Sequence, residues 1–376
     1  MKLTTLRIAL IGNQAFAMVN FRGALIRRLV ALGHEVFALV PDYTAETRAA
    51  VTALGAVPLD HSISRSGMNP ALDLRAAWQL RRTLREIAPD LVLTFTVKPV
   101  IYGLLAARLA SVPRRYALIE GLGHAFIHGG TVKGRLLQWT VTMLYQLSLN
   151  LANRTLFLNV DDQNEFRRRK IVSEERSLVV GTIGVNLDEW SQVPPVLHPI
   201  TFLFVGRVLY EKGIAEFLAA AQQLRPDFPS ARFLIVGDID SNPSSLARET
   251  LLDLVKAGLI EWPGHTDVKP WIAQASVFVL PSYREGFPRA TQEAMSMGRA
   301  VITTDVPGCR ETVVEGINGF MVPPRDASAI AGAMRKFLEQ PALVASMGDN
   351  SRKIAETRFG VEAATDRLLG AMDIGS

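Results

Sequence analysis

Val277-Phe278-Val279-Leu280-Pro281-Ser282-Tyr283-Arg284-Glu285-Gly286-Phe287-Pro288-Arg289-Ala290-Thr291-Gln292-Glu293 holds a strand, a turn and a helix start in one line. The apolar run Val277–Leu280 reads as a buried strand closed by Pro281. Pro288 suits a first helical turn, where no N–H is needed. Gly286 lets the backbone come close to a ligand. A helix start in this position offers N–H donors and a partial positive charge, which suits a diphosphate. Glu285 lies in the loop, and Glu293 about a turn and a half inside the helix. A carboxylate accepts two hydroxyl hydrogen bonds from a sugar, so these two suit the two ends of a sugar diphosphate. Taken alone, the spacing also fits a loop acid and a surface helix acid.

A second element stands upstream. Phe204-Val205-Gly206-Arg207-Val208-Leu209-Tyr210-Glu211-Lys212-Gly213 follows an apolar strand and opens a helix. Arg207 and Lys212 fall at that strand's carboxyl end, where two cations neutralise a departing diphosphate. The bland alternative is a pair of solvated loop charges.

Outward from these segments, strand and helix signals alternate along most of the chain. Strands are expected at Leu6–Ile11, His34–Val40, Leu91–Phe95, Tyr116–Ile119 and Thr155–Asn159. They resume at Phe202–Val205, Phe233–Val236, Val277–Leu280, Ala300–Thr304 and Gly319–Val322, and a helix is expected over about Phe21–Leu32. Such alternation argues for parallel sheets covered on both faces, an α/β fold. Ser191–Ile200 carries three prolines and reads as a linker. The expected organisation is a Rossmann-like unit over 1–195, a second over 196–355, and a terminal segment 356–376.

Composition narrows the function. The chain has 376 residues, long enough for two domains, and is 48% hydrophobic and 20% charged. Lys and Arg number 41 against 36 Asp and Glu, a net charge of +5, too mild to imply nucleic acid but compatible with an anionic substrate or membrane surface. Cys309 is the one cysteine, so an intramolecular disulfide and a cysteine zinc site are excluded, and a cytoplasmic, reducing setting is expected. No secretory leader is read at the start. Leu136–Asn153 carries no charged residue but is too polar for a spanning helix. It reads as a long helix, either buried or lying at an interface, with Lys133, Arg135 and Trp139 placed for lipid headgroups. The basic run Phe166–Lys170 reads as a solvated helix end or a second headgroup contact. Asp238-Ile239-Asp240 spells a D-x-D metal signature, but after a strand in this kind of unit it reads as a capping turn. No G-x-G-x-x-G is present, which argues against a nicotinamide cofactor.

These residues together resemble a known family. Gly206-Arg207 with Lys212-Gly213, and Glu285-Gly286-Phe287 with Glu293, are similar to the paired motifs of retaining glycosyltransferases of the GT-B fold, family four. Ala300–Asp305, Gly308 and Glu315–Phe320 are of the same type. Asn20-Phe21-Arg22-Gly23, Lys98–Gly103 and Gly121–Phe126 resemble the subgroup that builds surface polysaccharide on polyprenyl-diphosphate carriers. The resemblance implies two Rossmann-like domains facing across a cleft, with the terminal helix crossing back to the first. It implies Glu285, Arg207, Lys212 and His124 as catalytic residues. Gly12, Glu293, Gly286, Phe287, Pro288 and Arg289 would bind the donor, and Lys98, Asn20 and Arg22 the acceptor. It further implies a UDP-sugar donor, N-acetylhexosamine transfer with retention of configuration, no metal or other cofactor, and work at the inner face of a membrane. A sugar-nucleotide epimerase of the same fold, or a non-enzymatic nucleotide-sugar-binding protein, is the competing expectation.

Overall fold

A computed structural model describes residues 5–64, 67, 69–122, 132–239 and 244–375. The chain divides into two compact units. The first comprises 1–183 and 362–376, the second 184–361.

The first unit is a seven-stranded sheet: β1 (Arg7–Ile11), β2 (Glu35–Val40), β3 (Val57–Asp60), β4 (Leu91–Phe95), β5 (Arg114–Ile119), β6 (Arg154–Phe157) and β7 (Ser177–Val179). Every pairing is parallel, in the order β3-β2-β1-β4-β5-β6-β7. Parallel neighbours need helical crossovers. These are α1 (Ala15–Ala31), α2 (Ala45–Ala53), α3 (Pro70–Ile87), a π-turn Pro99–Gly103 running into α4 (Leu104–Leu109), α5 (Val132–Leu149) and α6 (Val160–Arg168). Because crossovers are right-handed, α3, α4 and α5 share the sheet face opposite α1 and α2. The inner strands β1 and β4 are almost wholly apolar and buried, and β5 is buried from Tyr116 onward, as a sheet covered on both faces requires.

The second unit has six strands: β8 (Thr201–Val205), β9 (Arg232–Val236), β10 (Glu261–Gly264), β11 (Val277–Leu280), β12 (Ala300–Thr304) and β13 (Gly319–Val322). They are parallel in the order β10-β9-β8-β11-β12-β13. Its helices are α7 (Ile214–Leu224), α8 (Arg248–Lys256), α9 (Lys269–Ala273), α10 (Arg289–Ser296), α11 (Ala327–Glu339) and α12 (Ala342–Arg358). The last helix, α13 (Val361–Ala371), belongs to the first unit from Glu362 onward.

Three sequence expectations shift. The division between units falls at 183/184, ahead of the proline-rich stretch. The reason is local: Val185 donates to Phe359 O at 2.8 Å and accepts from Val361 N at 3.0 Å, and buried Trp190 joins the second core. Arg352 adds bonds to the carbonyls of Leu187 and Trp190. The helix expected from about Phe21 starts at Ala15, whose N–H is taken up by Asp42 at 2.7 Å. Pro288 is the extended residue before α10, whose first helical residue is Arg289.

Candidate active site

In each unit the strand order reverses once, between β1 and β4 and between β8 and β11. Ligands of open parallel sheets bind outside the carboxyl ends of the strands at such a reversal. The two motif loops of the second unit follow β8 and β11, the strands flanking its reversal.

Close backbone packing makes one constellation of them. Gly213, at φ +75°, ends the single 3-10 turn Tyr210–Lys212, and a Cβ there would lie 2.1 Å from Pro281 O. A side chain would hold the loops apart. Tyr283 N–H donates to Glu211 O at 2.9 Å, and the Tyr283 hydroxyl donates to Glu216 Oε1 at 2.6 Å. Burial first, and then the Glu216 carboxylate, raise the Tyr283 phenol above its usual range, so it stays a donor.

Lys212 and Glu285 meet within this frame. Lys212 Nζ lies 2.6 Å from Glu285 Oε1, and Ser282 Oγ donates to the same oxygen at 2.7 Å. Both side chains are mostly buried but keep a solvent-facing side, at 22% and 13% exposure. Glu285 is further fixed by its own N–H, which donates to Pro307 O at 3.1 Å. Such a pair can offer a cation to phosphate oxygens and a carboxylate to sugar hydroxyls.

Glu293 lies inside α10, nine-tenths enclosed, with Arg289 Nε donating to its Oε1 at 2.7 Å. Burial raises its carboxyl above the ordinary value, Arg289 opposes that rise, and Glu189 adds to it. Arg207 stands exposed past Gly206 at the end of β8. Phe287 turns its ring inward, edge-on to Phe359 with centroids 5.6 Å apart, which anchors the loop carrying Gly286.

The first unit's residues are placed at its own reversal. Gly12 ends β1, and a Cβ on it would fall 2.4 Å from the Phe95 ring. Its carbonyl accepts from His61 Nε2 at 2.7 Å. His61 Nδ1 accepts from Ile63 N–H, which fixes the tautomer. Lys98, past β4, is held 2.8 Å from buried Asp73 and 2.9 Å from Ser64 Oγ. Asn20 is exposed on α1 and bonds to Phe16 O at 2.9 Å. Arg22 departs from the expectation of an acceptor-facing side chain. It is 2% exposed, paired with Glu120, with its guanidinium 4.5 Å over the Phe95 ring. The reason is that α1 packs on the sheet and turns Arg22 inward, where only a carboxylate partner makes a buried guanidinium tolerable. His124 and Asp240 lie outside the described residues. Asp238 accepts from Ile239 N–H and from Arg248, a turn-and-ion-pair arrangement.

The sequence reading missed Ser282, Glu216, His61 and Glu120. Glu120 was legible in principle, as a carboxylate directly after β5. His61 follows β3, a strand the apolar pattern did not reveal.

A chain with two parallel α/β units, and a lysine–carboxylate pair beside a helix start at the second unit's strand-order reversal, has the architecture of a sugar-transfer enzyme. Residues 18–182 match the model described as "Glycosyl transferase 4-like domain" and 199–340 that described as "Glycosyl transferases group 1". These two matches take in most of the chain, which belongs to this family of glycosyltransferases. One relative is the N,N'-diacetylbacillosaminyl-diphospho-undecaprenol alpha-1,3-N-acetylgalactosaminyltransferase of Campylobacter jejuni. It is 29% identical over 93% of this chain and 94% of that protein. The capsular polysaccharide biosynthesis glycosyltransferase CapM of Staphylococcus aureus is 23% identical over 79% and 80%. Among solved structures, Anabaena HepE in complex with UDP superposes with a TM-score of 0.77 at 17% identity, covering 98% of this chain and all of that one. The sucrose-phosphate synthase of Thermosynechococcus elongatus gives 0.78 at 20% identity over 96% and 97%. The fold is therefore GT-B.

Proposed function

We propose that this glycosyltransferase moves an N-acetylhexosamine, with retention of configuration, from a UDP-sugar to a saccharide carried on polyprenyl diphosphate at the cytoplasmic face of a membrane. The observation that carries the reading is the Lys212–Glu285 pair, 2.6 Å apart, beside the start of α10. The Campylobacter relative acts on an undecaprenyl-diphosphate-linked substrate, by its name, and spans nearly the same length. HepE supplies a fold neighbour that holds UDP.

In this reading the leaving diphosphate meets Lys212, Arg207 and the N–H groups of Gly286 and Phe287. Pro288 and Arg289 shape the turn into α10. Glu285 accepts hydroxyl bonds from the transferred sugar, and Glu293 from the ribose. Gly12 admits the donor phosphates to the end of β1, and His124 contacts the donor sugar. Lys98 and Asn20 face the acceptor. The acceptor hydroxyl attacks the anomeric carbon as the sugar–phosphate bond breaks, and the leaving phosphate oxygen takes its proton. Two side-chain cations supply the charge a metal would, so turnover proceeds without one.

The test is transfer from UDP-N-acetylhexosamines to polyprenyl-diphosphate-linked acceptors. Lys212→Ala and Glu285→Ala are each expected to lower kcat about a hundredfold or more, as removal of a transition-state charge partner does. Near-normal rates in both variants, or activity abolished by EDTA and restored by manganese, would defeat the assignment.

A further inference from the structure

α5 departs from the usual pattern of a surface helix, in which the solvent face is polar. Its inner face is apolar and buried around Tyr145 and Leu149, with Val141 and Leu144 packed beside them. Its outer face is apolar as well. Val132, Leu136, Trp139, Met143 and Leu147 follow at steps of four and three, one continuous stripe, and are between 37% and 77% exposed. The helix carries no acidic residue, and Arg135 stands exposed within the stripe. Contiguous apolar surface of this kind marks an interaction site.

Another helix on the same sheet face repeats the theme with more charge. α3 packs on α4, α4 on α5, and the Pro99–Gly103 turn touches both α3 and α5, so the three helices form one layer. α3 exposes Leu72, Leu74 and Trp78, and Leu109 is exposed at the end of α4. Arg81 lies 4.4 Å over the Trp78 ring. Arg75, Arg82, Arg85 and Arg108 are exposed on this layer, and Glu86 is the exposed acid among the described residues of its three helices.

We infer that the α3–α5 layer is the surface by which this protein docks on an anionic lipid bilayer, α5 lying along the interface with Trp139 and Leu136 among the headgroups and acyl chains. The inference rests on the reading that the acceptor is lipid-borne, and it adds the surface that meets the lipid. Three observations select this occupant. Apolar side chains interleaved with arginines match a membrane whose interior is apolar and whose surface is negative. Tryptophan is the side chain that settles at such an interface. A second copy docked on the same face would bring arginines against arginines. No described helix is long and apolar enough to cross the membrane, so the contact lies on the bilayer and does not span it.

The test is flotation of the full chain with vesicles that contain no acceptor, made of phosphatidylcholine alone or mixed with phosphatidylglycerol. The expected result is recovery with the anionic vesicles that weakens as salt rises. The triple variant Leu136→Ser, Trp139→Ser, Leu147→Ser and the double variant Arg75→Glu, Arg82→Glu are each expected to lower partitioning about tenfold or more. Both should keep the wild-type melting temperature and UDP affinity. The inference is overturned if the wild type stays off anionic vesicles, if both variants float like the wild type, or if light scattering finds a wild-type dimer that the triple variant makes monomeric. Vesicle binding with no transfer to any polyprenyl-linked acceptor would instead sink the proposed reaction and leave this surface standing.

Discussion

Glu293 shows how a single side chain ties burial to binding. The role proposed for it, accepting hydroxyl bonds from a ribose, requires the carboxylate form, and its enclosure raises the pKa above the usual 4.5. As pH falls, protonation therefore begins earlier than for an ordinary glutamate, and the acceptor lone pairs are lost. UDP affinity measured by calorimetry should decline with falling pH from a point above 4.5, and Glu293→Gln should bind weakly with that dependence removed. Glu120 gives a second residue-scale expectation. It is the partner of a guanidinium only 2% exposed. Glu120→Ala leaves that charge unpaired, so the first unit's urea transition should weaken by about 3 kcal/mol, the usual cost of breaking a buried pair. A shift below a few tenths would show that water reaches Arg22. Legibility at this scale followed chemistry. Lys212 and Glu285 were readable because their neighbours Gly213, Gly286 and Phe287 constrain the loops that carry them. The inward turn of Arg22 was not, because an arginine on a helix gives no sign in sequence of which face the helix will bury.

At the scale of elements, the strands with unbroken apolar runs were recognisable: β1, β4, β8, β9, β11 and β12 lie inside their sheets and are covered on both faces. β3, β7 and β10 escaped notice, and all three are edges. Val57-Pro58-Leu59-Asp60 and Glu261-Trp262-Pro263-Gly264 each hold a proline and a charge, features that edge strands tolerate and inner strands do not. α13 is the element whose removal should tell most. Leu368, Leu369, Met372 and Ile374 are buried. The Met372 carbonyl accepts from Arg114 and, at 3.0 Å, from the Tyr116 hydroxyl. Arg154 bonds to Ala371 O at 2.9 Å. Burying each apolar side chain is worth roughly 1.5–3 kcal/mol, so four of them approach the whole stability of a domain. A chain ending at Val361 should lose the first unit's cooperative melting while the second unit's transition persists. Two unchanged transitions would show that the helix is dispensable.

At the scale of the molecule, one unit is discontinuous in sequence and the other is not. The second unit runs unbroken from 184 to 361 and has its own core, from Val185 through Phe359. Expressed alone, that piece should fold, melt cooperatively and bind UDP, as circular dichroism and calorimetry would show. A molten or insoluble product would mean that its core depends on the other unit. The Rossmann-like doubling was legible from strand spacing, whereas the place of division was not. Proline content suggested 195, but docking of a short extended segment, set by backbone hydrogen bonds, decided it.

The backbone bonds joining Val185 to Phe359 and Val361 bring the entering and leaving segments of the second unit together. A module whose two ends emerge side by side can be exchanged between relatives without reshaping what receives it. Under the proposed function, recombination at these two joints would transplant sugar preference into a recipient that keeps its own lipid address. Biosynthetic diversity in such a lineage can then arise by swapping cassettes as well as by point changes around Glu285.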